Sequence, residues 1–379
     1  MKKLYILLIA LVLVNGALAQ GCLPQGIMFT TQAQIDSFQI DYPNCRHIEG
    51  NVEIGYIGYS TDITNLNGLS VLTSIGGRLI IRYNDFLTSL NGLANLTTII
   101  GELMIHHNNA LTSLSGLANL TSIGGLLDIS GGNSALNSLT GLEGLTSIPG
   151  NLTIQYNVSL TNLTGLHNVT SIGGMLDIES NDSLTSLTGL EGMTSIAGDL
   201  GIYNNSTLTS LTGLNNLTSI RGVWIIWNYA LSSLTGLDNI DAGSIQGLYI
   251  HNNYTLSTCA VQSICDYLVS PNGTIDIHDN ATGCNSQQEV EDSCASIGIE
   301  SLTPESSVTI YPNPTSTSIT IKTPTTGTIN IINSSGQQLL QQKITEPSTT
   351  INVNALPSGV YFVRMTNERT VELGKFIKP

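Results

Sequence analysis

Both tryptophans and four of the six histidines of this 379-residue chain fall in one short recurring phrase, Leu-x-Ile-x-x-Asn, or lie beside it in the same register. His106 and His107 are adjacent. His251, His278, Asp276 and Asp279 form a second group of types that ligate divalent cations. Asp177 and Glu179 are a carboxylate pair of the kind that hydrolyses glycosides when it flanks a bond inside a cleft. Tyr83, Tyr156, Tyr203, Trp224, Trp227 and Tyr249 supply flat faces, with Arg82 and several amides among them. Such a set suits a sugar chain or a protein loop. Residues one or two apart on alternating faces rarely converge, so the spacing argues against a metal, and no cofactor is expected. No nucleophile motif accompanies these groups.

What positions them is a repeat. Gly-Leu pairs begin at Gly68, Gly92, Gly116, Gly141, Gly165, Gly189, Gly213 and Gly236, so the steps are 24, 24, 25, 24, 24, 24 and 23 residues. A period this short marks a solenoid. Within it apolar residues recur every third place, as in Leu87, Leu90, Leu93, Leu96 and Ile99, which fits neither a helix nor a flat strand. One stretch per coil does alternate. Leu103-Met104-Ile105-His106-His107-Asn108 puts Leu103 and Ile105 inward, and stacked coils would pair these stretches into a parallel sheet.

The three x places then face solvent. Coil by coil they are Ile80, Arg82, Tyr83; Met104, His106, His107; Asp128, Ser130 and a glycine pair; Thr153, Gln155, Tyr156; Asp177, Glu179, Ser180; Gly201, Tyr203, Asn204; Trp224, Ile226, Trp227; Tyr249, His251, Asn252; Asp276, His278, Asp279. Taking Val223 and Ile225 as the inward pair keeps Asn228 in register. The closing asparagines, Asn84 to Asn280, read as an inward column that satisfies turn backbone. Threonine files such as Thr97, Thr121 and Thr146 raise ice or mineral binding, but wide T-x-T files are missing.

The ends carry their own signals. Lys2 and Lys3, the apolar run Leu4 to Val14 and Ala17-Leu18-Ala19 form a secretory leader, with cleavage expected between Ala19 and Gln20. That run is too short to span a bilayer, and no transmembrane segment is expected. Acylation of Cys22 fits less well, because Gln20 sits poorly ahead of Gly21-Cys22. Cys22 and Cys45 precede the repeats; Cys259, Cys265, Cys284 and Cys294 follow them. This suggests stapled end caps in an oxidising compartment. Independent caps require Cys22–Cys45 and leave the pairing of the last four open. A Thr-capped helix around Thr31 to Phe38 would close the front; a helix in CAVQSICDYL and a last strand Ile275-Asp276-Ile277 would close the back.

Charge divides the chain. Residues 20–300 hold four Arg, no Lys and 23 Asp plus Glu, hence −19; residues 301–379 hold six basic and four acidic residues, hence +2. The acidic repeat excludes a nucleic-acid footprint. It has no Lys, and its four Arg (Arg46, Arg78, Arg82 and Arg221) are scattered rather than gathered beside a carboxylate cluster, where polysaccharide cleavage would need them to stabilise an anion.

The segments FTTQAQIDSF, YPNCRHIEGNVEI and ITNLNGLSVLTSIGGRLIIRYN with its repeats resemble the receptor L-domain family, from about Cys22 to Cys294. The resemblance implies an all-β, right-handed leucine-rich-repeat-like β-solenoid that serves elsewhere as a ligand-binding ectodomain. The tail, with IYPNPTSTSITI, INIINSSGQQLLQ, INVNALPSGVYFVRM and KFIKP, resembles the type A C-terminal sorting domain of the type IX secretion system of Bacteroidetes. Tyr311, Pro312, Asn313, Pro314, Gly336, Gly359, Tyr361, Lys375 and Lys378 sit where that pattern expects them. It implies a small Ig-like β-sandwich, passage through the type IX machinery, and removal by its sorting peptidase. Release or attachment at the outer-membrane surface would follow.

The organisation is therefore read as a leader over 1–19, a solenoid over 20–297 with caps at 20–50 and 257–297, a linker over 298–306 and a sorting domain over 307–379. The expected function is non-catalytic binding or adhesion, through a glycan or protein ligand, on the exposed face of the parallel sheet. The competing readings are a passive coat, ice binding and an enzyme. A plainer account of the face is that aromatic and β-branched residues favour strands.

Overall fold

The computed structural model describes residues 21–296, 308–323, 326–333, 337–366 and 371–379. The leader with its Ala19/Gln20 cleavage site, the linker and Gly336 lie outside the described residues. The chain divides into two compact units, 1–297 and 298–379.

In the first unit, eleven parallel strands stack in sequence order, from Ile27–Phe29 to Thr274–His278. The pairing is unshifted from coil to coil: Leu103 with Leu127, Ile154 with Ile178, Leu200 with Val223 and Ile202 with Ile225. Val223 and Ile225 are indeed the inward pair. Two-residue strands such as Ser74–Ile75 and Ser171–Ile172 pair on a second side, and 3-10 turns such as Asn91–Leu93 complete the early coils. The three-residue beat has a direct cause. Leu184 and Leu190 each donate their backbone N–H to the carbonyl three places back, Asn181 O and Leu187 O, closing turns between buried positions, and Leu184, Leu187 and Leu190 are all fully buried. No coil could bury these side chains alone, so the stack folds as one core.

The asparagine column is continuous. Asn157 Nδ2 donates to Ile129 O at 2.8 Å, to Gln155 O at 3.0 Å and to Asn181 Oδ1, while Asn157 N donates to the same Asn181 oxygen at 3.1 Å. The pattern repeats from Asn84 to Asn280, so turn groups that would be buried unpaired are satisfied.

To aim each amide inward, the residue before it takes a left-handed backbone. Tyr83, His107, Tyr156, Ser180, Asn204, Trp227, Asn252 and Asp279 all have φ between 51° and 61°. In the 25-residue coil Gly131 and Gly132 fill this place, at φ 68° and 82°, and absorb the extra residue without shifting the register.

The caps are stapled. Helix α1 (Gln32–Asp41) starts at Thr31, with a reciprocal cap to Gln34, and buries Ile35 and Phe38. Cys22 bonds Cys45. At the far end Cys259, buried at a leucine position, bonds Cys284, and Cys265 of α2 (Gln262–Val269) bonds Cys294 of α3 (Gln287–Ser296).

The second unit packs two antiparallel sheets, of three and four strands, around Ile319, Ile321, Ile329, Val363 and Phe376. Asn313 pins the Tyr311–Pro314 loop to the last strand: its Nδ2 donates to Lys375 O at 2.9 Å, and its Oδ1 accepts from Ile377 N at 2.8 Å. Tyr361 donates to Pro357 O and packs on Phe376, and Lys378 Nζ donates to Asn354 O. Gly359 opens the strand that carries Tyr361.

Candidate functional site

The sheet presents two outward files of side chains. One runs Glu53, Ile80, Met104, Asp128, Thr153, Asp177, Gly201, Trp224, Tyr249, Asp276. The other runs Arg82, His106, Ser130, Gln155, Glu179, Tyr203, Ile226, His251, His278. Strands sit about 4.8 Å apart, so side chains in a file touch their neighbours. The third x place lies in the left-handed turn beyond the strand, and its residues form a separate rim.

The outward assignment needs correction at four positions. Ile80, Ser180, Gly201 and Ile226 are buried. Gly201 makes this plain: a Cβ there would come within 2.4 Å of the Tyr203 ring, which lies across it.

At the first coils the charged groups neutralise each other. Glu53 takes Arg82 at 2.7 Å and Arg78 at 3.2 Å, so Arg82 is committed to an internal ion pair. His106 Nε2 lies 3.0 Å from Asp128 Oδ2. His107 stacks on Tyr83 with centroids 4.4 Å apart, and its ring also covers Gly131. Burial, and then the neighbouring His106, lowers the His107 pKa.

Mid-sheet, a polar cluster gathers. Gln155 donates to Asp177 Oδ2 at 2.8 Å, and Tyr156 OH donates to Glu179 at 3.2 Å. Asp177 Oδ1 is buried without a hydrogen-bond partner. Burial, then the charge of Glu179, raises the Asp177 pKa to about 6. Burial, then Asp177, pushes Tyr203 up to about 12. The Glu179 charge also raises Tyr156.

Toward the last coils the face turns aromatic. Trp224 stacks on Tyr249 with centroids 3.7 Å apart and planes at 10°. Trp227 is different: it stands on the rim, 47% exposed. The two indoles thus differ in role, one part of a packed stack and one presented to solvent. Beyond the asparagine column, Tyr229 and Tyr254 stack at 5.5 Å and are 43% and 61% exposed. The repeat signalled this pair, since each tyrosine follows its column asparagine directly. His251 and His278 stack at 4.6 Å, with Asp276 and Asp279 beside them.

The threonine file spends its hydroxyls internally. Thr97, Thr121, Thr170, Thr194 and Thr218 each donate to the carbonyl of the threonine one coil back, at 3.0–3.1 Å.

Against known families, residues 44–136 and 168–295 match the receptor L domain, more than half of the chain. Residues 309–379 match the secretion system C-terminal sorting domain. No curated protein gives a significant match.

Proposed function

The chain belongs to the receptor L domain family and ends in a type IX secretion sorting domain, and on that premise we propose that its solenoid is a non-catalytic glycan-binding module displayed outside the cell. The sorting domain marks an exported protein, extracellular or attached to the cell surface. Neither matched family is enzymatic. Export delivers the solenoid outside, and the tail is removed by the sorting peptidase.

The observation that carries the reading is where the rim aromatics stand, with Tyr156 and Trp227 exposed and Tyr83 and His107 partly buried in a stack on each other. Tyr83, His107, Tyr156 and Trp227 occupy left-handed turn positions. A side chain there costs roughly 1–2 kcal/mol relative to glycine, which the 25-residue coil uses at the same place. Strand preference does not account for them, because these residues are not in strands. Their flat faces, beside the Trp224–Tyr249 and Tyr229–Tyr254 stacks and mid-sheet amides and carboxylates, suit a sugar chain. Pyranose rings offer an apolar face to stack and hydroxyls to bond. The −19 charge of the repeat favours a neutral or cationic chain over an acidic one.

Glycan arrays and pull-downs with the full chain, alongside a Trp224→Ala/Trp227→Ala variant, test this. Retention of a neutral or amino-sugar glycan by the parent and its loss in the variant is the expected result. Retention of a protein instead, with no glycan bound, would shift the ligand class. Retention of nothing would favour a passive coat, and turnover of a bound polysaccharide would make the protein an enzyme.

A further inference from the structure

His251 and His278 face each other across the last two strands of the sheet, paired in register, and Asp276 stands on the same strand as His278. Spacing along the chain argues against convergence; stacking of coils brings it about. The two imidazoles lie parallel, with centroids 4.6 Å apart and planes at 4°. One donor atom from each of His251, Asp276 and His278 lies within 4.8 Å of the others. Asp276 Oδ1 is 3.4 Å from His278 Nε2.

Each imidazole has its Nδ1 engaged by the residue that follows it in the chain. His278 Nδ1 lies 2.9 Å from Asp279 Oδ2, and a carboxylate only accepts, so the Nδ1 proton points there and the Nε2 lone pair is left for the cluster. His251 Nδ1 is likewise 2.8 Å from Asn252 Oδ1. Metal-ligating histidines are oriented in this way, by an acceptor on the nitrogen that does not bind the ion. Asp279 and Asn252 hold these places because both lie in the left-handed turn ahead of the asparagine column.

We propose that His251, Asp276 and His278 form a binding site for a borderline transition-metal dication such as zinc. Two imidazole nitrogens and one carboxylate oxygen match the donors zinc takes in three-ligand sites, with the remaining position open to water or a ligand. Bonds of about 2.0–2.1 Å in a tetrahedral site would draw the donor atoms to about 3.3 Å from one another. In the stacked arrangement the ring lone pairs run parallel, so binding an ion requires the two rings to rotate toward Asp276 and each other. His251 and Asp276 are half-buried and His278 is exposed, which leaves room for that movement. Asp279 and Asn252 are positioning residues for the two rings. The site lies next to the Trp224–Tyr249 stack, with Tyr249 paired to Asp276, so an ion there would add a Lewis-acidic anchor at the end of the aromatic face. The proposal does not depend on the ligand class of that face.

Calorimetric titration of the full chain with zinc chloride tests it, with cobalt(II) absorbance as a second readout. The expected result is one ion per chain, with cobalt giving the ligand-field bands of a four-coordinate site. His251→Ala and His278→Ala should each weaken binding by about 100-fold, and Asp279→Asn by about 10-fold. His106→Ala, in the other histidine pair, should leave it unchanged. Circular dichroism on each variant separates lost ligands from lost fold, and the more conservative His251→Gln and His278→Gln serve where an alanine variant misfolds. Absence of saturable zinc binding to the parent, or a His251→Ala/His278→Ala chain that binds as tightly as the parent, would overturn the site.

Discussion

The indole of Trp224 lies flat on the ring of Tyr249, one strand away, with centroids 3.7 Å apart. Trp227, three residues further on, stands in a left-handed turn with nearly half its surface in water. The stack ties Trp224 to the stability of the sheet, whereas Trp227 is free of that duty. Trp224→Ala should therefore cost about 1–3 kcal/mol in urea unfolding, through lost burial and ring contact.

The rim positions should respond in the opposite sense. Trp227→Gly and Tyr156→Gly relieve a left-handed backbone, offset by the greater freedom glycine gains in the unfolded chain. Stability should stay level or rise by up to about 1 kcal/mol. A clear loss in thermal unfolding would mean that these side chains are structural.

Asp177 gives a pH signature. Its folded pKa is raised to about 6 from an ordinary 3.8, so the native state favours the protonated form. The sign follows: this contribution is fully present below pH 4 and is lost as pH rises through 6. Asp177→Asn should therefore unfold about 1–2 °C higher than the parent at pH 8, a shift kept small by solvent screening, and the gain should vanish near pH 4. An equal gain at both pH values would contradict the assignment.

Asn157 tests the column. Asn157→Ala removes donors from Ile129 O and Gln155 O and an acceptor from Asn133 Nδ2. Buried groups left unpaired cost about 1–3 kcal/mol each, so a loss of at least about 2 kcal/mol is expected in chemical denaturation.

Peptide mapping under non-reducing conditions should return Cys259 with Cys284 and Cys265 with Cys294. Removing the second pair as a double serine variant should cost about 2–4 kcal/mol, by unpinning α3 from α2.

These residues also separate what was legible in the sequence from what was not. The coil period, the buried leucines, the asparagine column and the inward pair Val223 and Ile225 follow from spacing, because stacking admits one register. Burial of Ile80, Gly201 and Ile226 does not follow, since it depends on which neighbour folds across a position, as Tyr203 does over Gly201. The left-handed turn also escaped the alternation pattern, although the Gly131-Gly132 pair hinted at it. Helix α3 was missed, even though Ser286 and Glu289 form a start signal there, with Ser286 Oγ accepting from Glu289 N. The cysteine pairing needed the cap's geometry. That His251 and His278 fall on neighbouring strands follows from the repeat register, whereas the parallel stacking of their rings does not.

On the function proposed above, the rim and stack aromatics hold a glycan outside the cell. Calorimetry of the full chain with the glycan it retains on an array, compared with a Tyr156→Gly/Trp227→Gly variant, addresses it most directly. Affinity should fall by about 10-fold or more, near 1.4 kcal/mol, with a melting temperature unchanged or higher. Equal affinity in the two proteins, or no glycan bound by the parent, would contradict it.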